Sequence, residues 1–294
     1  MEQLNTYLSN KYPDIYVTGD DVNSLLIWGR GRSDGNVLPS LITLTVALDY
    51  NALTSEKPDI IYVADRLWKS GKTAFNRLYK CARYISARTG FPMTIIFFPQ
   101  SADLSLSPDT VRFLVISSTD SKDMRYSRLL DGKSLKALLY QHLNITDTIA
   151  GTRKEKNKST ADFFHEWSRM YLSPSIIKLD IDGMFVKTSD WVSDIDKILI
   201  EIKRSNIPPI PQWRPFKDDM PDFMLLLALS RRISSDMWIL HHDGLRDCAD
   251  DTIVSLFIVK DIIGNQLIYR EMHPSIKLAG NNSIDSIIRT TLNL

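Results

Sequence analysis

Short, strongly apolar runs separated by polar stretches are the feature that most constrains the fold of this chain. Four such runs in the first half are rich in β-branched or aromatic residues, which is typical of buried strands. They cover residues 40–48, 59–64, 93–98 and 112–117. Between the second and third runs, residues 73–88 place apolar side chains at helical spacing, and Gly90 follows where a helix should end. The order strand, helix, strand predicts a mixed α/β domain with some parallel pairing.

The second half shows a different order of predicted elements. A capping-box pattern over residues 159–162 opens a helix with an apolar face. Another helix, beginning near Asp219, is apolar on nearly all sides and is expected to be buried. The predicted strands cover residues 176–187, 197–203 and 237–241, and a hairpin covers 252–261 and 266–272. The pattern predicts helix, strand, strand, helix, strand with an appended hairpin.

The polar and charged segment 151–158 separates these two patterns. It contains no apolar stretch that could enter a core, so it is typical of a linker. We therefore expect an α/β domain over residues 1–150, a linker over 151–160 and a second domain over 161–294. A chain of 294 residues has the length for two domains of roughly 100–200 residues each.

Composition narrows the class of protein. The net charge of +1 means that any contact with nucleic acid depends on local basic patches. Cys81 and Cys248 lie far apart without metal-type spacing, which argues against a disulfide framework and favours a reducing compartment. No apolar run approaches the roughly 20 residues of a membrane span, and the first residues lack a signal-peptide pattern. We expect a cytoplasmic protein without a membrane partner.

Charged residues stand inside one of the apolar strands. Glu201-Ile202-Lys203 continues an apolar run, and 18 residues separate Asp182 from Glu201. Unpaired charge in a buried strand is costly, and a divalent cation held by carboxylates would compensate for it. The lysine could then polarise an attacking water or stabilise the charge that develops on phosphorus. The pattern favours a Mg²⁺ site, with Mn²⁺ as a substitute. The alternative is an edge strand with a solvated ion pair.

Asp182, the 18-residue gap and Glu201-Ile202-Lys203 resemble the PD-(D/E)xK nuclease superfamily, which includes restriction endonucleases and Holliday-junction resolvases. The resemblance covers the second half only. It implies that a restriction-endonuclease-like αβββαβ domain with a central mixed sheet follows the N-terminal α/β domain. It also implies that Asp182, Glu201 and the Ile202 carbonyl bind the metal ion, while Lys203 lies near the water.

Two further assignments depend on the same resemblance. Several members carry a glutamate on the first helix of the core, and Glu166 is available here as a further metal ligand and catalytic residue. The proline of the nominal motif is absent, and Asp180 is an alternative to Asp182. We favour Asp182 because a following glycine, here Gly183, is common in resolvase-like members.

A basic segment in the first half is the candidate nucleic-acid-binding surface. Between positions 69 and 88 there is no acidic residue. The basic residues there are Lys69, Lys72, Arg77, Lys80, Arg83 and Arg88. On a helix, the last four would form one flank that could contact phosphates, and the alternative is a solvated helix face. Gly71-Lys72-Thr73 resembles the end of a P-loop, but Arg66 stands where its first glycine would be, which argues against nucleotide hydrolysis.

Together these patterns predict a Mg²⁺-dependent DNA endonuclease, either restriction-like or structure-specific. Its partner would be DNA, and further protein subunits of a DNA-processing complex stay open. Cleavage of both strands requires two active sites, so we expect a homodimer. The alternative is a non-catalytic nucleic-acid-binding or assembly protein that keeps a nuclease-like fold.

Overall fold

The structure, a computed structural model, forms two compact units that do not follow the order of the chain. Met1–Thr18 and Ile181–Leu294 form the terminal unit, and Gly19–Asp180 form the inserted unit. The structure describes residues 2–20, 23–31, 37–48, 73–99, 111–118, 127–145, 163–186, 197–204, 213, 217–243, 247–264 and 266–294. The predicted linker, 151–160, and the predicted strand over 59–64 lie outside the described residues.

The described part of the chain contains six α-helices and twelve strands. Up to residue 180 these are α1 (Glu2–Lys11), β1 (Tyr16–Val17), β2 (Asn23–Gly31), β3 (Val37–Leu48), α2 (Thr73–Thr89), β4 (Met93–Pro99), β5 (Arg112–Ser118), β6 (Ser127–Asp131), α3 (Gly132–Leu143), α4 (Phe163–Tyr171) and β7 (Ile176–Asp180). Then follow β8 (Gly183–Phe185), β9 (Ile198–Arg204), a 3-10 turn (Lys217–Asp219), α5 (Met220–Arg232), β10 (Asp236–His242), β11 (Ile253–Ile263), β12 (Gln266–Lys277) and α6 (Ile284–Thr291).

The inserted unit is built on a mixed sheet in the order β6-β5-β4-β3-β2-β7. Its one parallel pair among the described strands is β3 with β4, and α2 lies between them in the chain, so the expected parallel pairing is confirmed. The crossover was expected to start from the strand over 59–64, which lies outside the described residues. The helix ends where expected, because Gly90 adopts a φ of 72° that glycine tolerates without strain. Asp131 is the N-cap residue of α3, and its side chain accepts a hydrogen bond from the Ser134 N–H.

Helix α4 packs within the inserted unit. The ring of Phe164 lies 6.2 Å from that of Trp28 and 5.7 Å from that of Phe98. The ring centroid of Trp167 lies 5.0 Å from that of Phe113. These three partners belong to β2, β4 and β5. The apolar face of α4 is therefore buried against the sheet formed by the first half of the chain, although we expected this helix to begin the second domain.

The terminal unit contains a second mixed sheet, in the order β1-β8-β9-β10-β11-β12. Strands β9 and β10 run parallel, and α5 connects them, while the other neighbours are antiparallel. One face of this sheet carries Ile198, Ile200 and Ile202, which join a core cluster with α1 and α6. The opposite face of β9 carries Glu201 and Lys203, because side chains alternate along a strand.

The strand predicted over 176–187 is in fact two strands of two different sheets. β7 pairs with β2 of the inserted unit, whereas β8 pairs with β1 and β9 of the terminal unit. The alternation of apolar and polar residues runs through the break, so the pattern does not reveal that the partner strands change. Three further predictions are confirmed: the mixed α/β class, the buried helix after Asp219, and the hairpin of β11 and β12. No helix among the described residues is long and apolar enough to cross a membrane.

Candidate active site

Asp182 is fixed immediately before β8. Its Oδ2 accepts a hydrogen bond from the Ile202 N–H at 2.6 Å, and its backbone carbonyl accepts one from Thr18 Oγ1 at 2.6 Å. The next residue, Gly183, lies against the ring of Tyr16, so that a Cβ at this position would clash with that ring. Both the carboxylate and the main chain of Asp182 are therefore held in place beside β9.

Asp180 belongs to a different environment. It ends β7 of the inserted unit, and its Oδ2 accepts a hydrogen bond from Ser24 Oγ at 3.0 Å. The side chain of Asp182 contacts the strand that carries Glu201 and Lys203.

Glu201 is a buried carboxyl group on β9, opposite Ile239 of β10. Only 4% of the residue is exposed, and its Oε2 has no hydrogen-bond partner among the described residues. Burial raises the pKa of Glu201 to about 8, and the nearby charge of Asp182 acts in the same direction. Glu201 pairs with β10 and lies beyond the residues of β9 that pair with β8, but its burial means that the alternative of a solvated ion pair is not what the structure contains.

Lys203 shares the face of the sheet on which Glu201 lies. Its Nζ is 2.8 Å from Glu201 Oε1 and 3.7 Å from Asp219 Oδ1. The ammonium group also lies 5.2 Å from the ring centroid of Phe223 on α5. Burial lowers the pKa of Lys203, but the carboxylates of Glu201, Asp219 and Asp182 outweigh burial and raise the pKa above its ordinary value. The lysine is therefore a permanent cation inside a cluster of acids.

The beginning of α5 supplies two acidic residues to which sequence reasoning assigned no catalytic role. Asp219 contacts Lys203, and the charge of Asp222 helps to raise the pKa of Glu201. Acidic residues near a helix N-terminus are common, because they interact favourably with the helix dipole. The signal in the sequence is the three-residue spacing between the two acids, and the helix dipole is an ordinary explanation for it.

His241 is a second group that sequence reasoning did not place in the site. It is paired in register with Lys203 across the parallel strands β9 and β10, and it is fully buried. Its ring stacks on Trp213, with the centroids 4.4 Å apart and the planes 13° from parallel. Burial lowers the pKa of His241 to about 4, so the imidazole is neutral at ordinary pH.

The residues present fit a Mg²⁺ ion held with few protein ligands. No group of three or more His, Cys, Asp and Glu side chains that could hold a metal ion occurs among the described residues. However, Mg²⁺ commonly binds through one or two carboxylates and keeps several waters. Asp182 and Glu201 provide two acids that raise each other's cost of ionisation, and Glu201 Oε2 provides a buried oxygen that is free to accept a ligand bond.

The remaining predicted site residues lie in the inserted unit. Glu166 on α4 forms an ion pair with Arg169 at 3.0 Å, and it belongs to a different unit from Asp182 and Glu201. Lys69 and Lys72 lie outside the described residues. The other four basic residues lie on α2, where Lys80, Arg83 and Arg88 are exposed and Arg77 is half-buried. Arg83 and Arg88 lie over the rings of Tyr79 and Tyr84.

Comparison with models of known protein families, with curated proteins and with solved structures finds no significant match for this chain. Function is therefore inferred from the geometry around Asp182, Glu201 and Lys203.

Proposed function

We propose that the protein is a Mg²⁺-dependent DNA endonuclease of the PD-(D/E)xK type. The observation that carries this proposal is the buried carboxyl of Glu201, which lies beside Asp182 with one oxygen unpartnered among the described residues. Burying one acid beside a second, half-buried acid is costly, and a divalent cation between them removes most of that cost.

The topology of the terminal unit supports the proposal. Without the inserted unit, the order α1, β1, β8, β9, α5, β10 is the αβββαβ order of the superfamily, with β9 and β10 parallel. In this arrangement the inserted unit enters between the first and second strands of the core. The first core helix is then α1 rather than α4. The assignment of Glu166 as the helix glutamate therefore loses its topological basis, although it stays a prediction.

The chemistry follows from the positions of three residues. Asp182 and Glu201, with the Ile202 carbonyl, would hold the ion, and Mn²⁺ would replace Mg²⁺. The bound ion would supply a nucleophilic water at neutral pH and would neutralise charge on the phosphate. Lys203 is oriented by Glu201, Asp219 and Phe223. Its ammonium would donate a hydrogen bond to the attacking water or to a phosphate oxygen.

The inserted unit is the part that we propose for DNA contact. On α2, Lys80, Arg83 and Arg88 are exposed, and each could neutralise one phosphate. Cleavage of both strands would bring two copies of the chain together, each with its own active site. We also propose a cytoplasmic location and, for the active protein, further subunits of a DNA-processing complex.

The test is cleavage of supercoiled, linear and branched DNA in Mg²⁺ by the purified full chain. We expect Asp182→Ala and Lys203→Ala to abolish cleavage while thermal melting still shows a folded protein. Asp180→Asn is the matched control, because Asp180 lies two residues away and is bonded to Ser24. It should cut at the rate of the parent. A Lys203→Ala variant that cuts as fast as the parent would refute the assignment. Cation-free DNA binding without any cleavage would instead favour the non-catalytic alternative.

A further inference from the structure

The ammonium group of Lys203 lies between two carboxylates. It is paired with Glu201 Oε1 at 2.8 Å, while Asp219 Oδ1 lies 3.7 Å away, just beyond hydrogen-bonding distance. The side chains of Lys203 and Asp219 are each 20% exposed, so water competes little for either charge. Lys203 therefore has one partner in contact and a second within reach.

Asp219 occupies a helix-capping position without acting as a cap. It is the N-cap residue of α5, but its side chain makes no capping hydrogen bond. Aspartate at this position normally accepts a bond from the backbone N–H two or three residues later. Phe223 lies one helical turn further along and contacts the same ammonium group. α5 thus presents both an acid and an aromatic ring to Lys203.

In the proposed function, Glu201 would have to bind a divalent cation and also keep its contact with Lys203. If Glu201 binds a divalent cation, the same carboxylate cannot keep its contact with the Lys203 ammonium at full strength, because the two cations repel each other. A half-buried ammonium released without a new partner would be costly. A second acceptor close by removes that cost and keeps the lysine near the reacting phosphate.

We propose that Asp219 is a positioning residue that receives the Lys203 ammonium when Glu201 binds the divalent cation. The inference rests on the proposed function. Below about pH 8 Glu201 gives up its carboxyl proton to solvent when it binds the cation, and above that pH no proton moves. The Lys203 ammonium stays charged throughout. The Nζ atom has to approach Asp219 by about 1 Å to form a normal hydrogen bond, and the Phe223 ring supports it along that path.

The experiment is a calorimetric titration of the full chain with Mn²⁺, without DNA, at about pH 8.5, which lies above the pKa of Glu201. We expect Lys203→Met to bind Mn²⁺ about tenfold more tightly than the parent, because the competing ammonium is gone. Asp219→Asn should bind about tenfold more weakly, since Lys203 then holds Glu201 more firmly. The double variant should match Lys203→Met. Asp218→Asn is the control, because it removes the same charge from an exposed neighbour in the same turn.

The double variant shows whether Asp219 affects Mn²⁺ binding through Lys203 or directly through its own negative charge. If Asp219 acts only through its negative charge, its removal will weaken Mn²⁺ binding at least as much in the Lys203→Met background, and the inference is overturned. Equal affinity of Asp219→Asn and the parent overturns it too, while binding that still depends on Asp182 leaves the proposed function standing. A parent protein that binds no Mn²⁺ refutes the proposed function and this inference together.

Discussion

The carboxylate of Asp182 accepts a hydrogen bond from the backbone N–H of Ile202 at 2.6 Å, across the pair of strands β8 and β9. Asp182 therefore has two tasks in the proposed site. It satisfies a backbone donor next to Glu201, and it supplies a charge to the proposed cation. Substitutions that remove one task and not the other can separate folding from function.

Asp182→Asn should keep the fold and lose the cation. The amide oxygen can still accept the bond from Ile202, so we expect stability within about 1 kcal/mol of the parent. Asp182→Ala leaves that N–H without its partner and should cost about 1–3 kcal/mol. Urea unfolding measures the stability, and titration with Mn²⁺ measures cation binding. Equal stability of the two variants would show that the bond to Ile202 contributes nothing measurable.

Gly183 should tolerate no side chain, because a Cβ would meet the ring of Tyr16. We expect Gly183→Ala to destabilise the protein by about 1–3 kcal/mol through overpacking. In a Tyr16→Ala background the same change should cost markedly less, since the clashing ring is gone. Gly31→Ala is the control, because its added Cβ would come no closer than 3.9 Å to a neighbouring side chain. Equal costs at Gly183 in both backgrounds would contradict this origin.

The raised pKa of Glu201 should make the metal-free protein less stable as the pH rises. The folded state keeps a proton on Glu201 up to about pH 8, whereas the unfolded chain releases it near its ordinary value of 4.5. Between these values the folded state binds more protons, so stability falls with increasing pH. Relative to Glu201→Gln, the parent should lose about 2 kcal/mol between about pH 6.5 and 8. Parallel pH profiles of the two proteins in a chelating buffer would contradict a buried, titrating Glu201.

His241 should act in the opposite direction at lower pH. Its folded pKa of about 4 lies below the ordinary value of 6.5, so the unfolded state binds the extra proton first. The stability that depends on neutral His241 is complete above about pH 6.5 and is lost as the pH falls towards 4. His241→Phe keeps a ring against Trp213 without a titrating group. It should therefore reduce the acid-dependent loss, at most by about 1.4 kcal/mol per pH unit. If stability from urea unfolding falls with decreasing pH equally in His241→Phe and the parent, the assignment is refuted.

The limits of sequence reasoning are clearest at β7 and β8. The approach of Asp182 to Glu201 was implied by the family resemblance, and α1, α3 and α6 were not predicted. Helices α2 and α5 and strands β9 to β12 follow from local patterns, because apolar spacing acts within a few residues. The division of the chain does not, because it depends on a two-residue strand, Tyr16–Val17, that pairs with β8 far along the chain. No local pattern marks such a pairing. Asp219 and His241 were missed for the same reason, since the role of each depends on the residue that it contacts.

The basic face of α2 should control DNA affinity in a salt-dependent way. Replacing Lys80, Arg83 and Arg88 with alanine removes three exposed cations from one helix. If each contacts one phosphate, the slope of log affinity against log salt should shrink by about 0.9 per residue removed. Fluorescence anisotropy with a labelled duplex in Ca²⁺ at several salt concentrations measures that slope. Arg169→Ala is the control, because Arg169 is also exposed in the inserted unit but is paired with Glu166. An unchanged slope for the triple variant would identify the α2 cations as a solvated face.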